Sequence, residues 1–365
     1  MSFSLLGLGT ALPQHTMSQA EATELATQVC CQNEEQARLL KVLYRRAGVT
    51  NRHTCVPHRI ALDWGGHDSN SALQPVQSVT ALGPSTLQRM QLYREHAIPL
   101  ACEASERALL DSPLSATEIT HLITVSCTGF VAPGVDVELI ARLGLPATTL
   151  RTHVGFMGCH GAINGLRVAL AYATADPGAR VLLCAVELCS LHYRFQWDPE
   201  RFIGNALFAD GAAAIVGSSV SPVNDDWHVT TTGSCLIPDS TDAMTWCVGD
   251  HGFEMTLSPR VPDLIGEHLR PWMVTWLADQ GLAIDQIGCW AVHPGGPRIV
   301  AAVEESLGLP REATAVSREV LAQCGNMSSP TVLFILDRLR ARQSPRPCVA
   351  IAFGPGLVAE AALLQ

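Results

Sequence analysis

The chain has 365 residues, 47% of them hydrophobic and 16% charged, which excludes a disordered chain and leaves core enough for two domains. A formal net charge of −10 excludes nucleic acid as an expected partner, because phosphate binding rests on clustered cations. Thirteen cysteines without a Cys-x-x-Cys pair or regular spacing give neither a disulfide framework nor a metal site, and point to a reducing cytoplasm.

The N-terminal segment lacks the basic region of a signal peptide and reaches Pro13 quickly. No apolar run is long enough to span a membrane; the stretch over residues 170–186 is broken by Asp176, Pro177 and Arg180. Residues 5–12 are expected as a strand, and Ser18 with Glu21 supplies a capping box for the helix that follows. Gly7-x-Gly9 ahead of Pro13 is no dinucleotide fingerprint, since no glycine-opened helix follows. Lys41, Arg45, Arg46 and Arg52 form a basic run in an acidic chain. It reads either as a solvated helix face or as the site for the phosphates of coenzyme A, whose oxygens suit arginine forks. Arg298 is assigned to the same role.

Residues 56–86, rich in Gly, Ser, Pro and Asn, read as a long surface excursion. A helix is expected over residues 99–110, a buried strand over 121–126, a helix over 135–143 and another opening near Cys159. Strands are expected over 181–186 and 212–216. The Gly-Ser-Ser-Val-Ser-Pro stretch from residue 217 is the best boundary, giving units 1–217 and 218–365. Beyond it come a strand region (227–233), helices (261–277 and 298–307), a strand (289–292), a helix from Pro330 and a strand (348–352). Near-continuous apolar strands alternating with helices give an α/β fold with both sheet faces covered.

Three segments carry chemistry. Cys159 lies in Gly158-Cys159-His160-Gly161 at the head of a small-residue helix; it is either a small buried core thiol or a nucleophile whose pKa the helix terminus and a histidine lower. His293 follows an apolar strand and precedes Pro294-Gly295-Gly296-Pro297, a stiff turn that presents the ring at the strand's carboxyl end, where open α/β sheets place ligands. Asn326, in Gly325-Asn326-Met327-Ser328-Ser329, reads alone as a turn residue. Together a thiol, an imidazole and a carboxamide suit carbon–carbon bond formation on thioesters: the thiol holds an acyl chain while the other two donate to an enolate oxygen.

These segments resemble the type III polyketide synthases, the chalcone-synthase-like branch of the thiolase superfamily, over nearly the whole chain. Ser126-Cys127-Thr128-Gly129-Phe130, Ala206-Leu207-Phe208-Ala209-Asp210-Gly211 and Phe353-Gly354-Pro355-Gly356 complete the likeness. The resemblance implies a thiolase-like fold of two pseudo-related α/β halves, with Cys159 as nucleophile and His293 and Asn326 as the decarboxylation and oxyanion pair. It makes Phe208 the gatekeeper and places Cys127, Glu187, Cys189, His192, Trp246, Met255 and Ser328 around the cavity, with Gly354, Pro355 and Gly356 as a backbone wall. Glu187 with Ser328 is expected to activate a water for aldol closure. Acyl-CoA and malonyl-CoA are the implied substrates, with no cofactor or metal and a homodimer as the assembly. Ala132 stands where relatives carry a methionine that crosses the dimer interface.

Met255 replaces a second gate aromatic, and His192 and Trp246 replace small residues, so a flavonoid substrate is not implied. The segments 244–246 and 252–255 resemble bacterial members that take fatty acyl starters, which gives alkylpyrone or alkylresorcinol products, with Cys127 expected as the tunnel mouth. The alternatives are a malonyl-CoA-primed polyhydroxynaphthalene-type synthase and a single-condensation ketoacyl synthase. A non-catalytic partner subunit is disfavoured by the intact Cys, His and Asn.

Overall fold

The computed structural model describes residues 2–57, 82–195, 197–198, 202–219 and 227–365. The first part of the chain supplies β1 (Phe3–Ala11), β2 (His15–Ser18), α1 (Gln19–Cys30), α2 (Glu34–Arg46), β3 (Asn51–Thr54), α3 (Thr86–Leu110), β4 (His121–Ser126) and α4 (Val135–Leu143). It continues with β5 (Leu150–Gly155), α5 (Gly161–Ala175), β6 (Arg180–Leu188), α6 (Phe202–Leu207) and β7 (Asp210–Ser218). The second part supplies β8 (Trp227–Leu236), the hairpin β9 (Met244–Gly249) and β10 (Gly252–Leu257), α7 (Val261–Ala278), β11 (Cys289–Val292) and α8 (Pro297–Leu307). After these come α9 (Ala315–Cys324), α10 (Pro330–Ala341), β12 (Cys348–Gly354) and β13 (Val358–Leu364).

Nine strands join in the order β11-β12-β13-β8-β1-β7-β6-β4-β5. The order is repeated about the β1–β8 seam. On one side β4 and β6 run parallel, then β6–β7 and β7–β1 are antiparallel. On the other β11 and β12 run parallel, then β12–β13 and β13–β8 are antiparallel. The two α/β halves are thus topological copies, joined where Phe3–Leu5 pair with Trp227–Val229.

Between the halves lies a shared core to which α5 and α10 contribute alongside Ile123, Leu183 and Ile215 from one half and Ala291 and Ala350 from the other. A helix wedged between two sheets must be slim. At Gly161 an added Cβ would stand 2.9 Å from Val125, and at Gly165 2.7 Å from Leu183, which is why the helix after Cys159 opens with small residues. Residues 330–336 of α10 are buried without a break for the same reason. Outer cores lie beneath α3 in the first half and beneath α7 and α8 in the second, so each sheet is covered on both faces.

Ser18 and Glu21 form the expected capping box. Helix α3 begins at Thr86, thirteen residues before the expected start at 99: Ser85 caps it with Gln88 in a second capping box, and Pro99 is accommodated inside the helix. Part of the expected surface excursion, residues 58–81, and most of the expected boundary, residues 220–226, lie outside the described residues. No helix among the described residues is long and apolar enough to cross a membrane.

Candidate active site

Strand β5 delivers the chain to a single turn, Gly158–His160, that leads into α5, so Cys159 stands at the entrance of that helix. Gly158 has φ +73°, and a Cβ there would lie 2.6 Å from Pro355; only glycine lets the wall residue and the nucleophile turn come together. Burial pushes the Cys159 thiol up to about 11, and Glu187 adds to the rise, while hydrogen bonds from Ser328 and Asn326 pull it down. Against the expectation of a depressed thiol pKa, loss of water outweighs the donors at this group.

His293 follows β11 directly. Its backbone N–H donates to Ile351 (2.8 Å), which fixes the residue at the carboxyl end of the strand. The ring is buried, both its nitrogens lack a hydrogen-bond partner, and burial together with repulsion from His160 drops its pKa to about 3. Asn326 is stitched between the residues flanking Phe208: its N–H donates to Leu207 and its carbonyl accepts from Ala209, both at 2.9 Å. The side-chain oxygen of Asn326 accepts from the Ser328 N–H (2.8 Å), which leaves the amide N–H2 for the Cys159 sulfur.

Cys159 opens onto a small chamber lined also by Cys127, Thr128, Cys189, Phe208, Met244, Trp246, Met255, Ser328 and Pro355. Cys189, Phe208, Trp246 and Met255 are shared with a second, larger cavity, which continues past His192 to Met17, Ala22, Leu25, Val56 and Phe253. Arg194 and Glu254, ion-paired at 2.8 Å, are part-exposed members of its wall. Cys127, the expected tunnel mouth, lines only the small chamber, whereas Cys189 lines both. Gly354 and Gly356 lie behind Pro355 rather than on the chamber surface; a side chain at Gly354 would collide with the His160 ring.

Glu187 is fully buried behind the chamber wall. It accepts from the Cys127 N–H (2.9 Å) and from the hydroxyls of Thr128 (2.7 Å), Ser329 (2.7 Å) and Ser126 (3.3 Å). Burial raises its pKa despite these donors. Pairing with Ser328 for water activation is not what the side chains do: Ser329 bonds Glu187, and the Ser328 hydroxyl faces the Cys127 sulfur at 3.4 Å.

His192 and Trp246 complete the restraint of the Cys127–Thr128 loop. The Trp246 indole donates to the Cys127 carbonyl (2.7 Å), while His192 donates through Nε2 to the Thr128 carbonyl (2.7 Å) and accepts the Phe253 N–H at Nδ1 (2.9 Å). Phe253 stacks on His192 with ring centroids 4.2 Å apart. Both side chains therefore present ring faces, not polar atoms, to a ligand. Thr128, Ser329 and Phe253 went without a role in the sequence, although all three stand inside segments singled out there.

Lys41, Arg45 and Arg46 lie exposed on α2, and Arg298 is exposed at the start of α8. A Cβ on Gly48 would meet Pro297 at 2.7 Å, which brings the basic end of α2 beside Arg298. Arg52 departs from this group: it is buried on β3 and donates to backbone carbonyls, so it offers nothing to a phosphate. Among the described residues no cluster of histidine, cysteine and carboxylate side chains could hold a metal.

Residues 2–220 match the N-terminal domain of the chalcone and stilbene synthases, and residues 228–365 match the C-terminal domain. The chain is 34% identical to "Alpha-pyrone synthesis polyketide synthase-like Pks18" of Mycobacterium tuberculosis, with 98% of this chain and 90% of that protein covered. It is also 34% identical to a 1,3,6,8-tetrahydroxynaphthalene synthase of Streptomyces peucetius, with 99% and 93% covered. The fold superposes on PKS-I from the brown alga Ectocarpus siliculosus with a TM-score of 0.92 at 32% identity, covering 100% of this chain and 98% of that one.

Proposed function

Because the chain belongs to the chalcone and stilbene synthase family and is a type III polyketide synthase, an acyltransferase of decarboxylative Claisen condensation, we propose specific roles for its site residues. Cys159 passes its proton to His293 and attacks the starter acyl-CoA thioester, releasing CoA. Transfer within the pair replaces two separately disfavoured charges by one ion pair, which is why burial of both groups is compatible with nucleophilic attack. Malonyl-CoA then places its thioester carbonyl between the His293 N–H and the Asn326 amide. The bond to the carboxylate breaks, carbon dioxide leaves, and the electron pair becomes an enolate held by these two donors. The enolate carbon attacks the acyl-Cys159 carbonyl and expels the thiolate, and the lengthened chain on CoA reloads. Lys41, Arg45, Arg46 and Arg298 hold the CoA phosphates, and no cofactor beyond the CoA thioesters is needed.

The starter is a medium or long acyl-CoA and the products are alkylpyrones or alkylresorcinols. The observation that carries this reading is the cavity lined by Met17, Ala22, Leu25, Val56 and Phe253, largely apolar, that adjoins the chamber at Cys159. Each methylene buried there adds about 0.8 kcal/mol. Malonyl-CoA offered with a panel of acyl-CoA starters, read by mass spectrometry, tests it. Products should carry the starter's alkyl chain; one polyhydroxynaphthalene formed from malonyl-CoA alone would favour the alternative, which the similarity to a tetrahydroxynaphthalene synthase keeps open.

The assembly we propose is a cytoplasmic homodimer. Phe130, Val137, Leu150 and Met157 are large apolar side chains exposed near the edge strand β5, and such an edge is normally covered. Light scattering should give twice the chain mass of 39.1 kDa.

A further inference from the structure

We infer that Arg52 is a positioning residue for decarboxylation, acting through α6 and Phe208 on Asn326. The inference rests on the role proposed for Asn326. Arg52 is 3% exposed. Its guanidinium donates to the carbonyls of Asn205 (2.7 Å), Ala206 (2.6 Å) and Phe208 (3.0 Å), and to the side-chain oxygen of Gln19. All four acceptors are neutral. Burial works against the charge, and Asp210 favours it by longer-range attraction.

A cation is buried at such cost only where it has strong acceptors, and the closing carbonyls of a helix are these, unpaired within the helix and carrying its negative end. Asn205 and Ala206 lie in the last turn of α6, and Phe208 follows it. The planar fork is needed because a lysine's point charge cannot span three carbonyls. Gln19 braces the same place from α1, its amide donating to Tyr44 (2.8 Å) and Ala206 (3.1 Å).

The consequence lies one residue further. Leu207 and Ala209, which alternate with the carbonyls Arg52 holds, are the residues that pair with Asn326 on both sides. Arg52 thereby fixes the short segment against which the Asn326 backbone registers, and the Asn326 amide is useful only where the enolate oxygen forms. A misplacement of about 1 Å in such a donor costs about a hundredfold in rate. The Phe208 ring, on the same segment, faces both cavities.

A double-mutant cycle of Arg52→Lys and Asn326→Ala, read as malonyl-CoA decarboxylation, tests the inference. Arg52→Lys alone should lower kcat about tenfold or more while KM for malonyl-CoA moves roughly twofold or less, because only the transition-state donor is displaced. In the Asn326→Ala background the same change should cost roughly twofold or less, since the donor it positions is gone. Equal losses in both backgrounds, or a rise in KM in place of a fall in kcat, would overturn it. Wild-type decarboxylation by Asn326→Ala alone would instead sink the role of Asn326. If Arg52→Lys does not fold, Gln19→Ala enters the same cycle: a loss of about threefold that vanishes in the Asn326→Ala background supports the inference, and an equal loss in both overturns it.

Discussion

His293 and His192 are two buried imidazoles that burial holds neutral, each with a pKa near about 3, yet they sit in opposite surroundings. His192 spends both nitrogens on backbone groups of two different segments, whereas His293 spends neither. Burial alone does not separate a structural histidine from a chemical one; the partner list does. An unpartnered buried polar atom costs about 1–3 kcal/mol, and in the proposed mechanism the substrate offsets that cost at His293. The same contrast divides the carboxyl and amide groups nearby. Glu187 is saturated by donors and secures the loop, while the Asn326 amide is fixed at its oxygen and faces the nucleophile through its nitrogen.

The largest expected effect breaks the chemical side. Cys159→Ala should abolish chain extension but keep malonyl-CoA decarboxylation, because His293 and Asn326 still hold the enolate. His293→Ala should lower decarboxylation about a hundredfold or more and extension with it. Polyketide at the wild-type rate from Cys159→Ala would remove the cysteine from the mechanism.

Alkylation of Cys159 against pH sharpens the contrast. Burial raises the pKa of the Cys159 thiol, so reaction with iodoacetamide should grow as pH rises. In the proposed mechanism His293 takes the thiol proton, so the wild type should react faster at neutral pH than His293→Ala. His192→Phe should keep the wild-type profile; a matching shift in both variants would erase the distinction.

On the structural side, His192→Phe leaves the Thr128 carbonyl and the Phe253 N–H unpaired and should cost about 1–3 kcal/mol for each, measured by urea unfolding. The sign with pH follows from burial. The folded pKa lies below the ordinary 6.5, so protons bind the unfolded chain better, and stability is lost as pH falls from about 6.5 toward 3. The variant should lose less stability over that range than the wild type.

Smaller effects concern substrate choice. Cys189→Phe should shorten the accepted starter and leave short-chain priming intact, whereas Cys127→Phe should disturb the small chamber for every starter, because Cys189 lines both cavities and Cys127 the small one. Replacing Arg45 and Arg46 by alanine should raise KM for CoA substrates more than it changes turnover, with the effect fading as salt is added. Unchanged kinetics would place the phosphates elsewhere.

Much of the order of strands and helices was legible from local signals: buried β4, β6 and β11 are short apolar runs, and Ser18 with Glu21 announces a helix start, whereas β5, β13 and the β9–β10 hairpin went unread. Cys159, His293 and Asn326 were legible as candidates because each sits in a turn-rich motif. The start of α3 was obscured by Pro99, a residue read as a helix opener that a long, well-capped helix tolerates. The parts played by Glu187, His192 and Arg52 were not legible, since each depends on partners some 60 to 155 residues away in the chain. The choice between Cys127 and Cys189 as tunnel mouth depends on how two cavities meet, which no local pattern encodes.

Peptide mass spectrometry of the enzyme quenched after mixing with a fatty acyl-CoA tests the central claim most directly. Three cysteines face the chamber, and burial raises the pKa of all three. One acyl group is expected, on the peptide that contains Cys159, absent from Cys159→Ala and sharply reduced in His293→Ala. Acylation of Cys127 or Cys189 in the wild type, or product formation with no acyl-Cys159 detected, would contradict it.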